Sequence, residues 1–352
     1  MRSKLFYFVV IALLSFGTVY GQFTVTSFFN PRAGETQTLI SADTSNIFPG
    51  NGGSNQTWSY PVLTNLGDSS ISSYILPSGT PYASSFPTAT IANYVPTNPN
   101  SYAYYSGTDT SFELLGNQSS SFKIVYSNPK KFRIYPLNYL QSFTDTYKAI
   151  TYQGTNIVQK LSGTITVTYD GYGTLTLPTG TVTNVGRFKF VSYDVDTMIF
   201  GGNTTIEYIK DTTWTWAKSN YRFGLFEIEK SWMSTDGISY NGFKWVGFTP
   251  NINSVGVKLL TNEIPTSFKL EQNYPNPFNP STTIRYQVPK NADVTIKIYD
   301  RLGKEIETLC NSRQNAGVYE ITLNASGYSS GVYYCRMISE GFSATKQIVL
   351  VK

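Results

Sequence analysis

The chain has 352 residues, a formal net charge of +5 from 27 Lys and Arg against 22 Asp and Glu, and no histidine. Without histidine the commonest general base and the commonest metal ligand are missing, which excludes histidine-based catalytic triads and histidine-ligated zinc. Basic residues run together only at Lys130-Lys131 and near the start, so the clustered positive charge that nucleic acid requires is absent.

Charged residues make up 14% and aromatics 15%, with 27 Tyr and 22 Phe, a profile rich in strand formers. An all-β chain of two domains follows from this composition and length. Two cysteines cannot build a disulfide framework or a four-cysteine zinc site.

In chain order, Arg2 and Lys4 precede an apolar run over 5–16, with Gly17, Thr18 and Gly21 behind it. This pattern predicts a secretory signal peptide over 1–21, and hence no transmembrane segment in the mature chain.

Residues 22–262 form the predicted cargo domain. Short apolar pieces at 23–29, 36–40 and 71–76 lie between polar loops, and Asn51-Gly-Gly53 marks a turn ahead of Trp58. From 122 onward, segments such as 161–169, 187–195, 204–210, 212–218, 221–230 and 242–248 alternate or are dense in β-branched and aromatic residues. Ten or more strands without a helix predict a large β-sandwich or barrel, and alternation does not choose between the two.

Two constellations in this region could carry function. Trp214 and Trp216 share one strand face, with Trp232 and Trp245 further on, which makes them a candidate ligand platform for sugar rings if that face is outward. The bland alternative is that they are core. Asp194 with Asp196, and Glu227 with Glu229, could serve as a glycosidase pair or as oxygen ligands for calcium. Neighbours at i and i+2 on a strand more often form a solvated face, here with Lys189, Lys210 and Lys230 as surface partners.

The connection 249–265 holds Pro250, Asn251, Asn253 and Gly256 and places the domain boundary, leaving 263–352 as the C-terminal domain. Pro275, Pro277 and Pro280 stiffen an extended lead-in. Strands follow at 284–288 and 294–298, the second ending in a turn at Asp300 to Gly303, with further short strands to 351, a spacing that fits a small antiparallel sandwich.

The string LEQNYPNPFNPSTTI from Leu270 to Ile284, with Val294 to Asp300, Leu302-Gly303, Gly317 to Tyr319, Gly331 to Tyr334 and the terminal KQIVLVK to Lys352, resembles the type A C-terminal sorting domain of the type IX secretion system of Bacteroidetes. The resemblance implies an immunoglobulin-like sandwich read by an outer-membrane translocon, and a chain secreted or held at the cell surface after passing the periplasm. It marks Asn273, Tyr274, Pro275, Asn276, Pro277, Phe278, Asn279, Pro280, Gly303, Gly331 and Lys352 as the sorting motif. Cys310 and Cys335 stand where members more often carry other residues. A bridge between them is one open expectation, since both thiols lie on predicted strands of one exported domain, and two separate thiols are the other.

The expected function is therefore an exported, non-enzymatic surface, adhesion or matrix component without cofactors, its partner the secretion machinery. A carbohydrate-binding module using the tryptophans, with surface glycan as partner, and a polysaccharide-degrading enzyme using the carboxylates are the two rivals. Residues 55–58 and 169–177 are also similar to segments of other secreted proteins with this sorting domain, a likeness that implies no activity.

Overall fold

The structure is a computed structural model that describes residues 23–352 except 220, 236–237, 241, 251–256, 262–263 and 326–327. The expected signal peptide, 1–21, lies outside the described residues.

Among the described residues fourteen strands precede the linker: β1 (Thr36–Ala42), β2 (Gly53–Ser59), β3 (Asn65–Ile75), β4 (Ile91–Val95), β5 (Asn98–Gly107), β6 (Ser111–Gln118), β7 (Lys123–Ile134), β8 (Ser142–Gln153), β9 (Asn156–Leu177), β10 (Gly180–Phe200), β11 (Asn203–Lys218), β12 (Gly224–Thr235), β13 (Ile238–Tyr240) and β14 (Lys244–Phe248). Strands β3 to β12 form an antiparallel meander, each beside the next. The ends meet through β14 and β1: β14 pairs with β12, and β1 sits between β14 and β3. Twelve strands thus close a ring, with β2 and β13 attached outside it, and the open alternative of two packed sheets falls away. Closure leaves no unpaired edge in the wall.

Register divides the wall into two faces. Phe188, Thr215, Glu227, Gly247 and Ser41 stand opposite one another across five adjacent strands. One residue away, so do Arg187, Trp216, Phe226, Phe248 and Ile40. The first row faces the lumen, because Phe188 and Thr215 meet Phe132 and Arg133 of the non-adjacent β7 around a small cavity. The second row is therefore on the outer wall.

One end of the lumen is filled by the segment ahead of β1. Phe23, Val25 and Phe29 are buried there, with the Phe23 ring 5.7 Å from that of Tyr169 and 6.4 Å from that of Phe188. Arg222 clamps this plug by donating to the Phe28 carbonyl and pairing with Glu35 at 2.9 Å.

A second core lies outside the barrel. Trp58, Tyr60 and Leu63, from the segment between β1 and β3, cover Trp216, Phe226, Ile228, Val246 and Phe248 of the outer wall. Arg187 fixes this cover: it makes a bidentate pair with Asp170 at 2.8 Å, donates to the carbonyls of Pro49 and Gly50, and lies over the rings of Trp58 and Trp216. Strand β2 runs parallel to β9, with Gln56 opposite Gly173 and Trp58 opposite Leu175. A Cβ at Gly173 would fall 1.9 Å from the Gln56 carbonyl oxygen, so only glycine permits this approach. The two strings 55–58 and 169–177, singled out in the sequence, are thus one contact.

The C-terminal region forms two four-stranded antiparallel sheets. One has the order β15 (Val257–Thr261), β20 (Gly317–Asn324), β17 (Ser281–Val288), β16 (Lys269–Leu270); the other has β19 (Glu305–Gln314), β18 (Ala292–Tyr299), β21 (Gly331–Ser339), β22 (Phe342–Leu350). Alternate residues of both, among them Ile284, Tyr286, Ile321, Val294, Ile296, Met337 and Ile348, form a common core. Strand β15 joins this sheet although the sequence reading placed it on the cargo side of Asn262. Lys218 from the end of β11 reaches across to Glu307 at 3.6 Å and donates to the Thr308 carbonyl at 3.0 Å.

No bond joins Cys310 and Cys335, which corrects the bridged alternative. Cys310 on β19 stands opposite Ile296 and Cys335 on β21 opposite Ile298, with β18 between them. Two strand spacings of about 4.8 Å separate the backbones by more than the roughly 7 Å that a disulfide can span.

The wall assigns opposite costs to two tryptophans. Trp216 is fully buried whereas Trp232 is 44% exposed. Trp216→Ala should cost about 3–5 kcal/mol of unfolding free energy, and Trp232→Ala should stay within about 0.5 kcal/mol of wild type. Urea denaturation checks both, and equal losses would contradict the placement.

Candidate functional site

Beyond the plug the lumen turns polar. Glu227 and Glu229 of β12 point inward, and with Gln37 and Leu39 of β1, Ser70 and Ser72 of β3, Phe243 and Trp245 they line an open cleft of about 390 Å³. Trp245 lies along its own strand over Gly247, where a Cβ would come within 2.2 Å of the indole, so glycine makes room for the ring. The indole N–H points to Ser41 Oγ at 3.4 Å.

Burial pushes the Glu227 carboxyl up to about 7; the neighbouring Glu229 adds to this, while a weak 3.5 Å hydrogen bond from Gln37 and the charge of Arg133 oppose it. Burial also raises Glu229, helped by Asp211. Neither carboxylate meets a Lys or Arg within ion-pair distance among the described residues.

Further along the inner wall, Asp194 accepts a hydrogen bond from the Tyr147 hydroxyl and Asp196 one from the Gln159 amide. Burial raises both carboxyls. The Lys130 ammonium stands 4.4 Å from the centre of the Tyr147 ring; burial lowers its pKa, opposed by Asp194 and Asp211.

The expectation that these acidic pairs form a solvated outer face is therefore overturned. Register turns Asp194, Asp196, Glu227 and Glu229 inward, while Lys189, Lys210 and Lys230 stay on the outer wall, opposite Trp214, Trp232 and Thr212. Among the described residues no three acidic or cysteine side chains come together as a metal-binding group, so nothing supports the calcium reading.

The four tryptophans do not make one platform. Trp216 is core, Trp214 is partly buried beside Lys189 and Lys230 at 5.9 and 5.8 Å, and Trp232 stands exposed on the outer wall. Only Trp245 faces the lumen. Gln37, Ser70, Ser72 and Phe243 complete its cleft, and the sequence carried no signal for them because they converge only once β1 is seated between β14 and β3.

The C-terminal proline string is a second site, built differently. Asn273 is buried and donates at 2.9 Å to the Pro275 carbonyl and to Thr282 Oγ1. Phe278 enters the core. Its N–H donates to the Val349 carbonyl at 2.9 Å, and the Val351 N–H returns to the Phe278 carbonyl at 3.0 Å. Asn276 Oδ1 accepts from the Val349 N–H at 2.9 Å. Tyr274, Pro275, Asn276, Pro277 and Asn279 remain exposed beside Val351 and Lys352, and Pro280 is half-buried. Gly303, at φ +79°, closes the turn from Asp300 in a conformation suited to glycine. Gly331 opens β21, and the Lys352 N–H bonds Ser330 Oγ. The motif and the end of the chain are one hydrogen-bonded unit.

Residues 272–352 match the family described as the secretion system C-terminal sorting domain. This sorting domain supports export through type IX secretion and so an extracellular or cell-surface destination, and it implies contact with that machinery. The region ahead of it matches no family, and no curated protein matches the chain. Among the described residues no helix is long and apolar enough to cross a membrane.

Glu227 predicts a pH dependence. Folding holds its proton to about pH 7, whereas the ordinary value is 4.5, so between these values the folded chain binds more protons than the unfolded one. The stability contributed by the neutral carboxyl is complete below 4.5 and is lost as pH rises through 7. Glu227→Gln should therefore gain on wild type between pH 5 and pH 8, by up to about 3 kcal/mol and less as the cleft is wetter. Urea midpoints at the two pH values test this, and parallel pH profiles would contradict it.

Proposed function

We propose that this chain is delivered outside the cell by type IX secretion, that its immunoglobulin-like sorting domain is read by the translocon through the exposed residues Tyr274 to Pro277 and Asn279, and that the barrel is its non-enzymatic payload, a surface or matrix component. The observation that carries this reading is the sorting motif locked to the final strand, since motif and terminus then form a single recognition surface.

A second reading, that the payload binds carbohydrate, is favoured by one observation: Trp245 offers an aromatic surface in a cleft whose other walls carry amide, hydroxyl and carboxylate groups.

Expressed in a host with the type IX system, a chain lacking 272–352 should stay in the periplasm, while the full chain reaches the surface or medium. Asn273→Ala with Phe278→Ala, which removes both inward anchors of the motif, should act in the same direction. Immunoblots of cell fractions decide, and normal external amounts of the truncated chain would overturn the reading.

A further inference from the structure

We propose that the Trp245 cleft selects a ligand bearing an organic ammonium group, such as an amino sugar or the end of an amine chain. This rests on the reading that the cleft binds a ligand, and it names the class.

Two features of the cleft meet in this one chemistry. The first is a pair of carboxyl groups without a counter-ion. Glu227 and Glu229 line the cavity with no cationic partner at ion-pair distance, and Asp211 on the adjacent strand raises Glu229 further. The two nearby cations are committed elsewhere. Arg133 donates to the Phe29 carbonyl at 2.5 Å and lies over the Phe112 ring, and Lys130 sits on the Tyr147 ring toward Asp194 and Asp211. A neutral ligand would leave both carboxyls without a counter-charge, whereas a cation between them favours their ionised forms and gains from each.

The second feature is the Trp245 ring. Its benzo edge packs against Gly247, where only a glycine leaves room for it, and the side chain lines the cleft. An aromatic face beside carboxylates attracts ammonium through the ring's negative face as well as through charge. The hydroxyls of Ser70 and Ser72 and the Gln37 amide add neutral donors and acceptors for the rest of the ligand.

The test uses the secreted chain, residues 22–352, titrated calorimetrically with glucosamine, with glucose, which keeps the ring and exchanges ammonium for hydroxyl, and with 1,5-diaminopentane, which keeps the ammonium and discards the sugar. Glucosamine is expected to bind at least about tenfold more tightly than glucose. Glu229→Gln, which keeps the side-chain shape, should remove that preference. Trp245→Ala should weaken every ligand, and melting curves verify that both variants fold. Diaminopentane binding without glucose binding supports the ammonium class and overturns the carbohydrate reading. Glucose bound as tightly as glucosamine overturns the ammonium class and leaves the carbohydrate reading standing. No binding by any of the three overturns both.

Discussion

Seating β1 between β14 and β3 is the constraint on which the barrel depends. Ile40 and Ser41 face Phe248 and Gly247 on one side, and Thr36 to Ala42 face Ser73 to Asn65 on the other. The meander from β3 to β12 would otherwise be an open, twisted sheet with two exposed edges. Closure gives the wall an inside, and strict alternation then sends every second side chain into it. The same strand carries Gln37 and Leu39 to the cleft, so ring closure and site assembly are one event.

Two devices hold what the ring does not. The plug over Phe23 to Phe29 fills one end of the lumen with aromatic rings and leaves the polar end open. The buried Arg187, paired with Asp170 and capped by two carbonyls, pins the long excursion between β1 and β3 to the outer wall, so Trp216 is core although it faces away from the lumen. Removing Asp170 would strand the buried Arg187 charge, which makes the pair a point of specificity as much as of stability.

Much of the architecture was legible in the chain. Strand positions followed from alternation at 161–169, 187–195 and 221–230, and the sorting domain from the resemblance carried by the string Leu270 to Ile284 and the motifs behind it. The choice of barrel over sandwich was not, because it turns on Ile40 meeting Phe248, residues remote in sequence that no periodicity connects. The facing of Glu227 and Glu229 was lost for the same reason: alternation shows that two residues share a face, while only closure says which face is inward. The separation of Cys310 from Cys335 by β18 likewise depends on strand order, not on spacing along the chain. The sorting motif shows the opposite case, since its contacts with Val349 to Val351 join two strings that were both conspicuous in the sequence.

Closure is tested most directly by cross-linking its seam. Ile40 stands opposite Phe248 across it, on the outer face and clear of the glycine that the Trp245 ring requires, so the double variant Ile40→Cys with Phe248→Cys places two thiols across the seam. Mild oxidation of the folded chain, followed by proteolysis and mass spectrometry, should find an intramolecular link between 36–42 and 244–248. Absence of that link, with the introduced thiols freely reactive, would contradict a closed barrel and with it the site inside.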